Sequence, residues 1–318
     1  MKRVILACLL ALAATVMAVG PAMAKDYPAR NIKTIVPFAP GGAVDVTNRF
    51  IADTASKYFD GKKIVVENMP GGGAVIGQTY VANAKPDGYT ILAYTSSVVN
   101  NPITKKTSFT HKSFQPVVMY CFDPEVVVVP ATSPFKTLKD LLDEARKREL
   151  TVATPGFSTS HHVAALVLEK KAGIKLSYIH NESAAMQIQQ LMGGHVEVGF
   201  MSSGEASGYF KDGSLRILGI MQKDRNPAFE GVPTFNESGV NIEWGTFRGL
   251  AVPAATPKAV VDYLAEAFKK VINDPGFQEA MGKAGYPVVY RGPQEFEAYV
   301  EEVAVVMQEI LPTLKKSN

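Results

Sequence analysis

Apolar and polar positions along this chain repeat one unit: a short β-branched run, a glycine-rich turn, then an apolar stripe at helical spacing. Residues 32–38 (IKTIVPF) read as a strand that leads through Ala39-Pro40-Gly41-Gly42 into a helix over 45–58. Val46, Phe50, Ala52, Ala55 and Tyr58 form its stripe. Residues 63–67 (KIVVE) lead through Pro70-Gly71-Gly72-Gly73 into a helix over 75–84, and 90–94 form a third strand. The pattern then restarts. Residues 125–129 (EVVVV) are the kind of run a sheet covers on both faces. Thr137 caps a helix whose stripe is Leu138, Leu141, Leu142 and Ala145. Strands over 150–153, 176–179, 196–200 and 215–220 alternate with helices over 160–171 and 184–192. A turn-rich stretch, 226–244, precedes a last strand over 247–252. Three helices follow over 257–272, 275–284 and 293–311, each opened by a proline, whose fixed φ suits a first turn.

Such alternation predicts an α/β protein on a mainly parallel sheet. At 318 residues two cores are favoured over one, because single cores rarely grow past roughly 250–300 residues. The expected division is residues 25–124 in a first lobe, 125–245 in a second, and 246–318 returning to the first, with two crossings between them.

Composition changes this picture at the amino terminus. Lys2 and Arg3 precede an apolar run, 4–19, interrupted only by Thr15, and Ala22-Met23-Ala24 offers small residues to a signal peptidase. The run is shorter than the roughly 20 residues a membrane span needs, so residues 1–24 read as a signal peptide cleaved after Ala24. Cys8 lies too early for a lipoprotein box. Only Cys121 then remains, which excludes an internal disulfide and CxxC chemistry. A formal charge of +3 without runs of like charge excludes a nucleic-acid binder by composition.

Two turns carry the candidate chemistry. In the first, Phe38, Ala39, Gly41, Gly42 and Asp45 stand between a strand and a helix, where free N–H groups converge on a site for an anion. Asp45 is either a helix cap or a ligand contact. In the second, Ser158, Thr159, Ser160 and His162 place hydroxyls and open amides at another helix start. Thr95 and Ser96, and likewise Ser202, follow strands at the edge where parallel sheets hold ligands. Competing chemistries fit poorly. A serine hydrolase would need glycine on both flanks of its nucleophile, and Ser160 occupies one flank of Ser158. His161-His162 lacks further placed metal ligands, His180 and His195 being unassigned. Residues 71–77 space their glycines one residue too far apart for a dinucleotide fingerprint. Trp244, Phe247 and Arg248 serve either packing or the ligand. Arg49 and Arg248 are the basic residues that could face an anion, and their direction is not readable from sequence.

Together these motifs resemble the periplasmic solute-binding proteins of tripartite tricarboxylate transporters, the Bug-type receptors. The likeness is carried by IVPFAPGGAVD at 35–45, VENMPGGGAVIG at 66–77, AKPDGYTIL at 84–92, MGGHVEVGF at 192–200, VPTFNESG at 232–239, WGTFRGLAVPAATPK at 244–258 and GPQEFEAYV at 292–300. The resemblance implies a two-lobed, type II-like periplasmic binding protein that closes on one small carboxylate. Main-chain and hydroxyl groups would hold the ligand, partly through water, for delivery to membrane transporter subunits. It places Phe38, Gly41, Gly42 and Asp45 in the first ligand loop and Thr159 and His162 in the second. The chain departs from the family at His180-Asn181-Glu182, where Tyr-Lys-Gly is usual, and near Ser158, where glycine is usual. The expectation is therefore a non-enzymatic periplasmic receptor, monomeric and without cofactor or metal. A secreted hydrolase using Ser158 or Ser160, and a ligand-loaded partner of a sensor-kinase ectodomain, are the alternative readings.

Overall fold

A computed structural model describes residues 27–157, 159–181 and 184–314. The expected signal peptide and Ser158 lie outside the described residues. Ten strands join one curled sheet that divides into two fields. The first field contains β1 (Ile32–Val36), β2 (Ile64–Asn68) and β3 (Thr90–Thr95), with β1 parallel to both neighbours. The second contains β5 (Leu150–Thr154), β6 (Leu176–His180) and β7 (Val198–Ser202), again with parallel pairing around β5. Between them run β4 (Phe114–Pro130) and β9 (Gly245–Pro253), antiparallel to each other. The flanks are thus parallel, as the pattern predicts, whereas the centre is antiparallel.

The chain uses β4 in both fields. Its first part, from Phe114 to Pro124, pairs with β9 and with the short β10 (Val288–Arg291). Its second part, from Glu125 to Pro130, pairs with β7 and with β8 (Leu215–Ile220). The pattern predicts strand only over 125–129, and the structure extends it back across Pro116 and Pro124. Both are tolerated where the ladder is already irregular: the register shifts between Pro116 and Val118, and Pro124 sits where the partners change.

Helices cover both faces. Alternate residues of β4 point opposite ways, Tyr120 into one apolar cluster and Met119 into another. The Tyr120 side is covered by α1 (Ala43–Ala55), α8 (Lys258–Ile272) and α9 (Pro275–Lys283). α8 buries Val261, Leu264, Phe268, Val271 and Ile272, each contributing roughly 1.5–3 kcal/mol. On the Met119 side lie α3 (Ser97–Thr104) and α10 (Pro293–Leu314), through Val98, Val99, Phe296, Val300 and Met307. α3 was not foreseen, since S-S-V-V-N-N-P reads as a polar loop. α1 begins two residues before the expected start, and its buried face includes Thr47 and Asn48. Thr47 Oγ1 and Asn48 Nδ2 reach the buried Tyr120 hydroxyl at 3.0 and 3.1 Å, so polar residues can occupy a core stripe there. The second field carries α4 (Leu138–Ala145), α5 (Ser160–Ala172), α6 (Ala184–Met192) and α7 (Ser203–Lys211). Thr137 caps α4 as expected, through a reciprocal box with Asp140. Between β2 and β3 the first field has α2 (Val75–Ala82).

Candidate functional site

Four helix starts among the described residues meet at one cleft of about 410 Å³. α1 and α3 bring Gly42, Ala43, Val44, Ser96 and Ser97 from the first field. α5 and α7 bring Thr159, Ser160, Ser202 and Glu205 from the second. Each helix follows the carboxyl end of a strand, so its first N–H groups, which have no acceptor within the helix, open toward the strand ends. At α1 the cap residue is Gly42, which supplies no side-chain bond and leaves those amides to an incoming group. At α5 and α7, Thr159 and Ser202 accept from the backbone of His162 and Glu205. Phe38, Thr95, Pro155 and Phe157 complete much of the wall.

Of the predicted contacts, Phe38, Gly42, Thr95, Ser96, Thr159, Ser160 and Ser202 line this cleft. Ala39, Gly41, Asp45 and His162 do not. Asp45 is buried and turned back on its own loop, accepting from the Gly41 amide at 2.8 Å, Asn68 Nδ2 at 2.8 Å and Arg49 Nη2 at 2.9 Å. Burial works against its charge, but the bonds from Arg49, Gly41 and Asn68 outweigh it and hold the carboxyl below its ordinary range. Arg49 is thereby committed to Asp45, not to the cleft. Gly41 has φ +85°, a conformation that favours glycine, and its amide is used by Asp45. Ala39 is exposed on the same turn. His162 is fully buried behind the second loop, its ring 4.7 Å from Tyr178 and 4.5 Å from His180. Burial, aided by His180, pushes it down to about 3, so it stays neutral and acts by packing.

Sequence reasoning missed a chain of charges beside the cleft. His161 lies between two carboxylates: Nδ1 is 2.7 Å from Glu125 Oε2 and Nε2 is 3.0 Å from Glu205 Oε2. Burial opposes its charge, yet the two acids raise it well above its ordinary value, giving an imidazolium. Thr246 on β9 donates to Glu125 at 3.2 Å. On the first-field side, Arg248 Nη1 lies 3.3 Å from Asp123 Oδ2, both fully or nearly fully buried. Asp123 Oδ1 accepts from Ser203 Oγ at 2.8 Å and the Gly204 amide at 2.9 Å, which ties β4 to the start of α7. A Cβ at Gly204 would stand 2.9 Å from Asp123 Oδ2, so glycine permits this approach. Cys121, beside Arg248, is pushed up to about 11 by burial and remains a thiol. The usable signal was two acids, Asp123 and Glu125, inside an otherwise apolar strand, where each needs a partner.

The arrangement is poor for hydrolysis. Ser160 lines the cleft, but His161 has both ring nitrogens bound to carboxylates and His162 lies outside the lining. Neither is placed to present an unengaged ring nitrogen to Ser160 in the cleft, as a general base must. It is suited to holding a small anion among amides and hydroxyls.

The sequence matches, over residues 47–314, the family described as the tripartite tricarboxylate transporter family receptor. A protein encoded in the gbd 5′ region of Cupriavidus necator is 30% identical over 309 residues, covering 96% of this chain and 94% of the relative. Among solved structures, a TctC solute-binding protein from Polaromonas shares 31% identity at a TM-score of 0.81, covering 90% of this chain and 99% of the other. MatC from Rhodopseudomonas palustris, with bound malate, shares the fold at 24% identity and a TM-score of 0.76, over 89% of this chain and 99% of its own. Shared along nearly its whole length with such receptors, the chain belongs to the tripartite tricarboxylate transporter receptor family, whose members are periplasmic solute-binding proteins.

Proposed function

We propose that this protein captures a small organic carboxylate by lobe closure and delivers it to the membrane subunits of a tripartite tricarboxylate-type transporter. The observation that carries the reading is the meeting of uncapped or hydroxyl-capped helix starts from both fields on one cleft. A carboxylate docks first on the amides of Gly42, Ala43 and Val44. The opposite lobe then brings the Thr159, Ser160 and Ser202 groups onto it. Charge-assisted hydrogen bonds contribute roughly 1.5–3 kcal/mol each, enough for a few to offset desolvation and ordering. In this reading the hinge lies where β4 exchanges partners at Pro124, beside the Glu125 amide that donates to the Trp244 carbonyl at 2.9 Å. Residues 25–124 and 246–318 would then move as one lobe against 125–245. Export with cleavage after Ala24, and action as a monomer, belong to the same reading. The malate held by MatC is in keeping with a carboxylate ligand.

Calorimetry of the mature chain against a panel of dicarboxylates, tricarboxylates, aromatic acids and amino acids tests this. Micromolar or tighter binding of at least one is the expected result. Absence of heat and of thermal shift across the panel would remove the proposal.

A further inference from the structure

Besides amides and hydroxyls, the cleft is lined by the charged side chains of Lys105, His161, Glu205 and Arg248, of which Arg248 and Glu205 keep a buried donor and an acceptor unused. Arg248 lines the cleft while only 2% exposed. Its Nη1 serves Cys121 and Asp123, and its buried Nε has no partner. Glu205 lines the opposite side with a side chain 30% exposed. Its Oε2 accepts from the Ser202 amide at 3.2 Å and lies 3.0 Å from His161 Nε2. Its Oε1 makes no hydrogen bond among the described residues. A helix-capping box accounts for one oxygen of Glu205 and for neither the other oxygen nor the buried histidine behind it.

Asp123 is paired with Arg248, and His161 stands between Glu125, whose full burial works against its charge, and Glu205, the acid of this group that lines the cleft. Burial disfavours the Glu205 charge, yet His161 and Arg248 pull it down to about 2, so it is ionised at neutral pH. A bare carboxylate entering beside it meets repulsion and leaves Oε1 without a donor. An ammonium supplies both a donor and the opposite charge.

Resting on the receptor reading above, we propose that the ligand is a carboxylate bearing a protonated amine, with its carboxylate on the helix starts and Arg248 and its ammonium on Glu205 Oε1. Glu205 is then the residue that selects amino acids from the wider set of organic acids, by a repulsive element as much as by an attractive one. Lys105, which also lines the cleft, donates to the Gly72 carbonyl at 3.0 Å and makes no ion pair with Glu205 among the described residues.

Matched pairs that differ only in the amine test this by calorimetry on the mature chain: aspartate with succinate, glutamate with glutarate, and phenylalanine with 3-phenylpropanoate. In at least one pair the amino acid is expected to bind tighter by about tenfold or more. Glu205→Gln, which keeps a capping acceptor, should erase that preference by weakening the amino acid and strengthening its partner. Amine-free acids binding as tightly as or tighter than their amino partners, or an unchanged ratio in a folded Glu205→Gln protein, would overturn the inference and leave the receptor reading standing. Silence across these six compounds would overturn the inference, and the receptor reading falls only if the wider panel above is silent as well.

Discussion

The two walls of the cleft are built by different means. On the first-lobe wall, the loop from Phe38 to Asp45 lines the cleft at Phe38, Gly42, Ala43 and Val44, and its one acid, Asp45, is spent internally on Gly41, Asn68 and Arg49. The second-lobe wall presents hydroxyls, and behind them an imidazolium between carboxylates that reaches the cleft at Glu205. The first-lobe side hides its acid but brings the cations Lys105 and Arg248 to the cleft, while the second brings the anion Glu205. On the proposed function, the first lobe would grip any carboxylate and the second would discriminate.

The comparison is broken most severely at Asp123, where the charge systems of the two sides are joined. Asp123→Ala removes the partner of a buried guanidinium and two bonds to the start of α7. Stability should fall by about 3–5 kcal/mol in urea denaturation, because an uncompensated buried charge remains. Loss within 1 kcal/mol, roughly the worth of an exposed pair, would show that Arg248 finds water instead. Asp45→Ala disrupts the other wall and should cost less, about 1–2 kcal/mol, as loss of a helix-start brace. It should also weaken every carboxylate alike, since the cradle it holds is not selective. A change confined to one ligand class would contradict the assignment.

The smallest effect is read by pH. His161 has its protonated form favoured by Glu125 from β4 and Glu205 from α7, with Arg248 of β9 nearby and Glu205 ionised throughout neutral pH. Because folding raises it above its ordinary 6.5, the stabilisation is complete below that pH and is lost as pH rises through the raised value. Melting temperatures measured from pH 6 upward (about neutral to alkaline) should decline in the native chain and be flatter in His161→Gln. An equal decline in both would assign the effect elsewhere.

How much of this was readable beforehand follows the range of the interactions. Turns and helix starts are local, so Gly42, Thr159 and Ser160 could be placed at a ligand edge from a strand, a turn and a stripe. The helix capped by Thr137 was likewise legible, because its cap and apolar face lie within nine residues, 137–145. The orientation of Asp45 was not, since it depends on Asn68 from another strand. Nor was the charge chain: Asp123, Glu125, His161, Glu205 and Arg248 come from β4, α5, α7 and β9, and no spacing rule links them. Pro116 and Pro124 lie in the part of the long central strand that the pattern did not predict. Their tolerance depends on what β9 and β7 do opposite them.

That strand also bears on how the protein could be re-engineered. Seventeen residues, Phe114–Pro130, serve as a common beam for both halves of the molecule. Neither half can be excised as a free-standing fragment without stripping a rung ladder from the other and exposing a sticky edge. Reporter insertions and circular permutations should therefore spare it and use surface turns, and a biosensor made from this receptor would need the beam whole.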